Sequence, residues 1–342
     1  MKGTFNQSTM DELVAQTIEK KNIRSVVLCV EKGNHSFSHV SSAGNMEDDT
    51  PYFLASVTKL YITAIILKLR MENRVDLDDK ISQYLPEGTV SRIHILKDID
   101  YSNEITIKHL MSNTSGIPDY FTSDVFLELV DGKDQLWPFE KTVQSVKKMK
   151  PKFKPGQKGK VHYSDTNYQL LGEIIKTITG QSIHEVFRQY IFDALNLQHS
   201  YVYEDVNDEK PLPLTYKSKQ LLIPHYMSSI PAEGGIVSTA QESMIFLKAF
   251  INGQLFPKND FNELMSNWNF LLLPGQFYYG VGIVKQPISL VSFKNGLIGH
   301  WGQSGAFAFY YPQKDLYFTG TVNQIIGHSV AARLISKIIK RF

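Results

Sequence analysis

Cysteine is almost absent from this 342-residue chain, and its single copy, Cys29, cannot form an internal disulfide. Without pairs of cysteines or clusters of His and Cys, the usual zinc-binding patterns are missing as well. Cys29 lies in a strongly apolar stretch, so we interpret it as a small buried residue rather than a reactive thiol. The sequence therefore predicts neither a disulfide-stapled domain nor a metal site.

Long hydrophobic runs and blocks of like charge are also lacking. The most apolar run, at 60–67, is bracketed by lysines and is far shorter than the roughly 18 residues that cross a bilayer, so it predicts a buried helix. The 36 basic and 34 acidic residues leave a formal net charge of +2. This balance of charge does not indicate binding to nucleic acid or to a membrane surface. We therefore expect the partner to be a small molecule.

The N-terminus lacks the apolar stretch of a signal peptide. The sequence as given therefore predicts a cytoplasmic protein, which would be a secreted one only if a leader had been removed. The composition, 42% hydrophobic and 20% charged, is that of an ordinary globular chain.

Periodicity predicts helices at both ends and in the middle of the chain, with strands between them. We predict helices at 9–21, 239–251 and 327–342, and a mostly helical stretch over 56–180. The predicted strands are 24–31, 35–41, 279–285, 290–293, 297–300, 306–311 and 316–322.

Strands near both chain ends with helices between them predict an α+β fold in which the terminal segments share one antiparallel sheet flanked by helices. We expect a single catalytic domain over 1–342. Its sheet lobe would comprise 1–55 and 236–342, and a mostly α lobe would comprise 56–235. Ligand clefts favour such junctions between lobes.

A Ser-x-x-Lys motif, formed by Ser56 and Lys59, stands directly before the predicted buried helix. Three residues are nearly one helical turn, so the hydroxyl and the ammonium can project to the same side. A serine at a helix start also lies beside unpaired backbone N–H groups that can bind an oxyanion, and burial of the lysine would make it a better base. The alternative, that Ser56 only caps the helix while Lys59 reaches water, stays open on these residues alone. A second Ser-x-x-Lys at 145–148 lies in a cationic, solvated run, and we discount it.

Tyr163 begins a Tyr-Ser-Asp motif that ends at Asp165, before another apolar helix. A phenol acts as a general base only beside cations that stabilise its phenolate, and Lys59 would be such a cation. The rival Tyr101 lies among acidic residues, which oppose ionisation. We therefore favour Tyr163.

A His-x-Gly motif at the end of a predicted strand is the third candidate element. Gly302 permits a close approach of the backbone to a ligand, and the N–H group of Gln303 just after it would be an oxyanion donor. A structural histidine at the bulge of an edge strand is the alternative for His300. If the neutral imidazole is needed, activity should rise with pH around roughly 6 to 7.

Taken in chain order, the three motifs resemble those of the serine β-lactamase and penicillin-binding-protein superfamily. The likeness is to its class C-like branch, which includes family VIII esterases and D-alanyl-D-alanine carboxypeptidases. The segments at 107–118, 153–156 and 234–240 also look like that branch, so the resemblance covers nearly the whole chain. It implies a β-lactamase/transpeptidase-like fold and no cofactor.

The resemblance also implies roles for the site residues. Ser56 would be the acylated nucleophile, Lys59 its proton partner, and Tyr163 the base and later the acid to the leaving group. The backbone N–H groups of Ser56 and Gln303 would form the oxyanion hole. Asp165 would occupy a position that holds Asn in many relatives.

Two departures from the family pattern bear on the substrate. True β-lactamases carry Lys-Thr/Ser-Gly where this chain has His300, Trp301 and Gly302, so a fixed positive charge and a hydroxyl suited to a substrate carboxylate are lost. The bulky indole and the negative charge that Asp165 adds would further disfavour an anionic antibiotic.

We therefore predict a serine hydrolase that acts through an acyl-enzyme on Ser56. Its substrate would be a small ester, amide or D-amino-acid peptide with a neutral or amine-bearing acyl group, and its β-lactamase activity would be weak or absent. The alternatives are a catalytically silent penicillin-binding-like sensor and a true β-lactamase. The sequence predicts no particular oligomeric state.

Overall fold

The computed structural model describes residues 6–20, 22–272, 276–288 and 295–342. The helices in these ranges are α1 (Gln7–Ile18), α2 (Thr58–Met71), α3 (Glu87–Val90), α4 (Ile107–Met111), α5 (Ser123–Val130), α6 (Phe139–Lys147), α7 (Asp165–Thr179), α8 (Ile183–Phe187), α9 (Pro224–Ser228), α10 (Ala240–Asn252), α11 (Lys258–Leu264) and α12 (His328–Ile339). The strands are β1 (Ser25–Lys32), β2 (Ser38–Gly44), β3 (Tyr52–Phe53), β4 (Ile95–Leu96), β5 (Ile99–Asp100), β6 (Tyr201–Val202), β7 (Leu214–Tyr216), β8 (Lys219–Leu221), β9 (Ile236–Ser238), β10 (Asn269–Leu272), β11 (Gln276–Tyr279), β12 (Val284–Pro287), β13 (Gly296–Trp301), β14 (Ala306–Tyr311) and β15 (Leu316–Thr321).

The main sheet joins the two ends of the chain. In the described residues it has eight strands in the order β10-β11-β12-β13-β14-β15-β1-β2, all paired antiparallel. β1, near the N-terminus, pairs with β15, near the C-terminus, and Val27 lies opposite Thr321. The predicted α+β architecture, with an antiparallel sheet built from both chain ends, is therefore confirmed.

One predicted strand is wrong. The run 279–285 is divided between β11, which ends at Tyr279, and β12, which begins at Val284. Between them Gly282 has a φ of 73°, and a Cβ there would lie 2.1 Å from the Thr63 hydroxyl oxygen, so the turn needs glycine. Val281 and Ile283 in this turn are buried, which made the run look continuous. The predicted strand 290–293 lies outside the described residues.

Two hydrophobic clusters cover the two faces of the main sheet. The larger cluster surrounds α2, whose residues from 58 to 67 are all buried, so the predicted buried helix is confirmed. The smaller cluster lies between the sheet and the terminal helices α1 and α12, where Leu13 and Val14 join Leu334 and Ile335. Among the described residues, no helix is long and apolar enough to cross a membrane.

A small sheet leads the chain to the start of α2. Its strand order is β3-β9-β6, so β9 pairs here and not with the main sheet. Just beyond β3, the Leu54 N–H group donates to the Ile236 carbonyl at 2.8 Å. These bonds set the position of the residues that follow Leu54.

Candidate active site

Ser56 lies in a single 3-10 turn, Ala55–Val57, between β3 and the first residue of α2. The turn is fixed to the main sheet because the Ser304 hydroxyl, just after β13, donates to the Phe53 carbonyl at 2.8 Å. Ser56 is partly exposed. The Ser56 hydroxyl therefore lies on a turn that is fixed by a hydrogen bond, at a position that a substrate can reach.

Lys59 is fully buried, and its ammonium has three neighbouring acceptors. Nζ lies 3.0 Å from Ser56 Oγ, 2.9 Å from the Glu233 carbonyl oxygen and 2.6 Å from Asp165 Oδ1. The first two contacts are hydrogen bonds donated by the ammonium, and the third is an ion pair. The alternative in which Lys59 reaches water is therefore wrong.

Tyr163 completes the group around the serine. The Ser56 side chain acts on the Tyr163 phenol and favours the phenolate, and the Lys59 Nζ atom lies 5.2 Å from the centre of that ring. Burial, and then the charge of Asp165, raises the pKa of the Tyr163 phenol well above its usual value. Lys59 lies beside the phenol as expected, but burial and Asp165 oppose the phenolate, so its stabilisation by Lys59 stays a prediction.

The Tyr-Ser-Asp motif is held by the segment that ends at Pro118. Asn113 Oδ1 accepts hydrogen bonds from the Ser164 N–H group at 3.1 Å and from Asn167 Nδ2 at 2.8 Å. The Thr166 hydroxyl donates to the Pro118 carbonyl at 3.0 Å. These buried bonds fix the start of α7, where Asp165 is the first residue.

His300 is buried in β13 and points toward the same centre. Its Nδ1 atom lies 2.7 Å from the Trp301 carbonyl oxygen, which can only accept, so Nδ1 carries the proton. Nε2 then faces the Tyr279 hydroxyl at 3.2 Å as an acceptor. Burial, with a smaller effect of Lys59, lowers the pKa of His300 to about 3. The imidazole is neutral above that pH, so the expected rise in activity around pH 6 to 7 does not arise from His300.

The Trp301 side chain lies on the other face of β13, as strand alternation requires. The indole packs 4.6 Å from the Phe309 ring between their centres, and its Nε1 donates to Gln286 Oε1 at 2.8 Å. It is part of the cluster beneath α12. The indole also borders the cavity beside Ser56, and its expected effect on an anionic substrate stays a prediction.

Gly302 allows the end of β13 to approach the nucleophile turn. A Cβ at this position would lie 2.2 Å from the Leu54 carbonyl oxygen, so only glycine fits. The Gln303 N–H group that follows has no hydrogen-bond acceptor among the described residues. Ser56 and Gln303 border the same cavities, which places both predicted oxyanion donors around one space.

Asp119 is a carboxyl group that the motif analysis missed. Its Oδ1 accepts from the backbone N–H groups of Phe121 at 3.2 Å and Asp165 at 3.1 Å. Burial, and then the charge of Asp165, raises the pKa of Asp119 well above its usual value. Asp119 directly follows the segment 107–118, which resembles the family, and this position is the signal that the sequence offers.

Glu233 is the second missed carboxyl group. It is 2% exposed, and Oε1 accepts a hydrogen bond from the Tyr120 hydroxyl. Burial, with the charge of Asp165 next, raises the pKa of Glu233 well above its usual value. It directly precedes Gly234, where another segment similar to the family begins. Among the described residues, no group of three or more His, Cys, Asp and Glu side chains is arranged to hold a metal ion.

Within the described part of the chain, an aromatic and an aliphatic cavity border Ser56. The aromatic cavity, of about 380 Å³, is lined by Ser56, Asp119, Phe121, Tyr163, Asp165, Leu271, Phe277, Tyr279, Val284, His300, Trp301, Gln303, Ile326 and His328. The aliphatic cavity, of about 60 Å³, is lined by Ala55, Ser56, Phe121, Phe126, Leu129, Asp165, Leu214, Leu221, Ile223, Tyr226, Met227, Ile230, Glu233, Gly234, Gln303, Ser304 and Ile325. The discounted Tyr101 and the Ser-x-x-Lys at 145–148 border neither cavity.

A Ser-x-x-Lys pair with the serine as nucleophile is a motif of β-lactamases and penicillin-binding proteins, and here the pair lies at the start of α2 beside the end of β13. The family model described as Beta-lactamase matches residues 10–336. The chain belongs to this family and so to the β-lactamase and penicillin-binding-protein superfamily, as the motifs predicted.

Individual relatives are more distant. Protein flp of Staphylococcus aureus (strain MW2) is 29% identical over 203 residues, which is 57% of this chain and 38% of that protein. The match therefore spans about two fifths of the length of this curated relative. A D-stereospecific amidohydrolase from Streptomyces sp. superposes with a TM-score of 0.80 at 22% identity over 96% of this chain and 98% of its own. The D-amino acid amidase from Ochrobactrum anthropi SV3 gives 0.81 at 20% identity over 97% and 100%. These superpositions confirm the predicted β-lactamase/transpeptidase-like fold.

Proposed function

We propose that this chain hydrolyses esters or amides through an acyl-enzyme on Ser56. The observation that carries the proposal is the contact of one partly exposed hydroxyl with two proton-carrying groups, Lys59 Nζ at 3.0 Å and the Tyr163 hydroxyl. A serine hydroxyl needs such neighbours because it is a weak nucleophile on its own.

In the proposed reaction, Ser56 Oγ attacks the substrate carbonyl carbon and its proton passes to the phenolate form of Tyr163. The backbone N–H groups of Ser56 and Gln303 bind the resulting oxyanion, and each such donor is worth on the order of 3 kcal/mol. Tyr163 then gives the proton to the leaving alcohol or amine, and the acyl-enzyme forms. A water molecule repeats the sequence and releases the acid. Because the pKa of Tyr163 is raised, the phenolate is the minor form and activity increases with pH.

The charges around the site favour an uncharged or amine-bearing acyl group. Asp119 and Asp165 border the aromatic cavity, and His300 at its wall is neutral. A substrate carboxylate would meet these groups without a fixed cation on β13, so we propose weak or no β-lactamase activity. The D-amino acid amidase and the D-stereospecific amidohydrolase that share the fold support an amide or ester of an amine-bearing acid.

The test combines turnover of p-nitrophenyl acetate with mass spectrometry after exposure to a fluorophosphonate. We expect turnover, one added phosphonyl group on Ser56, and loss of both in Ser56→Ala. Ser145→Ala is the matched control because it removes the serine of the discounted motif, and it should behave as the unmodified chain. Labelling that survives in Ser56→Ala would contradict the proposal. Acylation without turnover would instead favour a sensor, and rapid nitrocefin hydrolysis would favour a true β-lactamase.

A further inference from the structure

The aliphatic cavity is a short apolar space that ends beside the nucleophile. Most of its walls are hydrocarbon side chains, and its volume of about 60 Å³ holds roughly four or five water-sized groups. Ser56 and Gln303 border it, so a group attached to the reacting carbonyl can enter it. Its size and lining fit a short aliphatic chain.

Glu233, a residue that lines this cavity, has a buried polar atom without a partner in the described part of the chain. Glu233 is 2% exposed, and while its Oε1 accepts from the Tyr120 hydroxyl, its Oε2 has no hydrogen-bond partner among the described residues. Buried carboxyl oxygens are normally hydrogen-bonded, because leaving one unpaired costs free energy. A donor brought in by a ligand would satisfy this oxygen.

The charges near Glu233 favour a cation as that donor. Asp119 and Asp165 are two further carboxyl groups, and Lys59 is the one ammonium that acts on all three within the described site. Burial, and then the charge of Asp165, holds the pKa of Glu233 well above its usual value. The groups that act on the Glu233 carboxyl are Asp165, Lys59, Tyr120 and Asp119, and the further titratable neighbour is Tyr226. A ligand ammonium would stabilise the negative charge of the Glu233 carboxylate, whereas a ligand carboxylate would repel it.

We propose that the aliphatic cavity is a subsite for a primary ammonium group on a short aliphatic body, with Glu233 Oε2 as its acceptor. The proposal deepens the proposed function, because it assigns the amine of the substrate to one side of Ser56. The proposal rests on the proposed function only in taking Ser56 as the group that reacts with the substrate. Binding of the amine itself needs no acyl transfer.

The first test compares n-butylammonium with n-butanol, which has the same length and no charge, by isothermal titration calorimetry at pH 7. We expect the ammonium to bind at least about tenfold more tightly than the alcohol to the unmodified chain. Glu233→Gln keeps the shape of the side chain and should reduce the preference to less than about threefold. Glu173→Gln is the matched control, because that carboxylate pairs with Lys176 and borders neither of the two cavities. Equal affinities for the two probes, or a preference that Glu233→Gln retains, would overturn the proposal.

The second test needs no variant. Because the pKa of Glu233 is raised in the free chain and a bound ammonium would lower it, binding should release protons, which titrations in phosphate and Tris buffers measure from the difference in heat. n-Butanol should release none, and an ammonium that binds without proton release would contradict the proposal. Ser56→Ala separates the two hypotheses, since it should bind n-butylammonium like the unmodified chain. Loss of ester turnover thus bears on the proposed function alone, and loss of the ammonium preference bears on the subsite alone.

Discussion

Asp165 Oδ1 lies 2.6 Å from Lys59 Nζ, and this ion pair joins the first turn of α2 to the first residue of α7. The Lys59 side chain is fully buried, and that of Asp165 is 13% exposed. The negative charge of Asp165 raises the pKa values of Tyr163, Asp119 and Glu233. Burial is the larger cause of each of these shifts, and one residue of the second motif adds to all three.

The ion pair predicts a specific pattern of stability. Lys59→Met leaves the Asp165 carboxylate without its cation, and breaking a buried pair in this way costs about 3 kcal/mol. Adding Asp165→Asn removes the unpaired charge, so the double variant should recover at least about half of that loss. Urea unfolding of the four proteins measures the cycle. Additive losses in the double variant would contradict the coupling, and both Lys59 variants should lack acylation.

Asp165→Asn alone should change the pH dependence of catalysis. Loss of the negative charge lowers the pKa of Tyr163, so more phenolate is present at a given pH, and the rising limb of kcat/KM moves to lower pH. At pH 7 we expect roughly a tenfold gain in kcat/KM for p-nitrophenyl acetate, the change that one pKa unit carries. The profile from pH 5 to 9 is the measurement. A limb that moves to higher pH would show that Asp165 does not oppose the phenolate.

The architecture was accessible from sequence because it depends on local patterns. Alternating apolar residues near both chain ends predicted β1 and β15, which pair with each other. A continuous apolar run predicted the buried helix α2. The motifs marked Ser56, Lys59 and Tyr163, which the structure brings into contact. Each of these inferences needed only neighbouring residues or a family pattern.

The electrostatics were not accessible in this way. Asp119 and Glu233 are 114 positions apart, and nothing in their local sequence shows that both face Asp165. The approach of Tyr163 to Lys59 suggested a lowered pKa, yet burial, and then the charge of Asp165, raises it. Likewise, the pKa of His300 depends on burial beneath Tyr279, which lies on a different strand.

Gly302 tests the contact between β13 and the nucleophile turn. The added Cβ of Gly302→Ala would meet the Leu54 carbonyl oxygen at 2.2 Å, so the strand must move away and carry the Gln303 N–H group with it. Loss of one oxyanion donor lowers kcat by about 10² to 10³. Gly88→Ala is the control, because a Cβ there meets nothing within 4 Å and its activity should not change. Full activity in Gly302→Ala would remove Gln303 from the oxyanion hole.

The neutral state of His300 predicts how stability depends on pH. The pKa of the folded protein is lowered from the ordinary 6.5 to about 3, so between these values the unfolded chain binds a proton that the folded chain excludes. Stability from this group is therefore present above pH 6.5 and is lost as the pH falls toward 3. His300→Gln does not titrate, so between pH 5.5 and 4 the free energy of unfolding should fall less steeply, by up to about 1.4 kcal/mol per pH unit.

Urea titrations at pH 4 to 7 measure this slope for both proteins. His162, whose pKa burial lowers to about 4, offers a parallel variant, and His162→Gln should flatten the slope in the same direction. The kcat/KM profile gives a second readout, because a histidine that is neutral throughout pH 5 to 8 contributes no limb there. His300→Gln should therefore keep the shape of that profile even where its rate is lower. Equal stability slopes for the two proteins would mean that His300 is protonated in the folded chain.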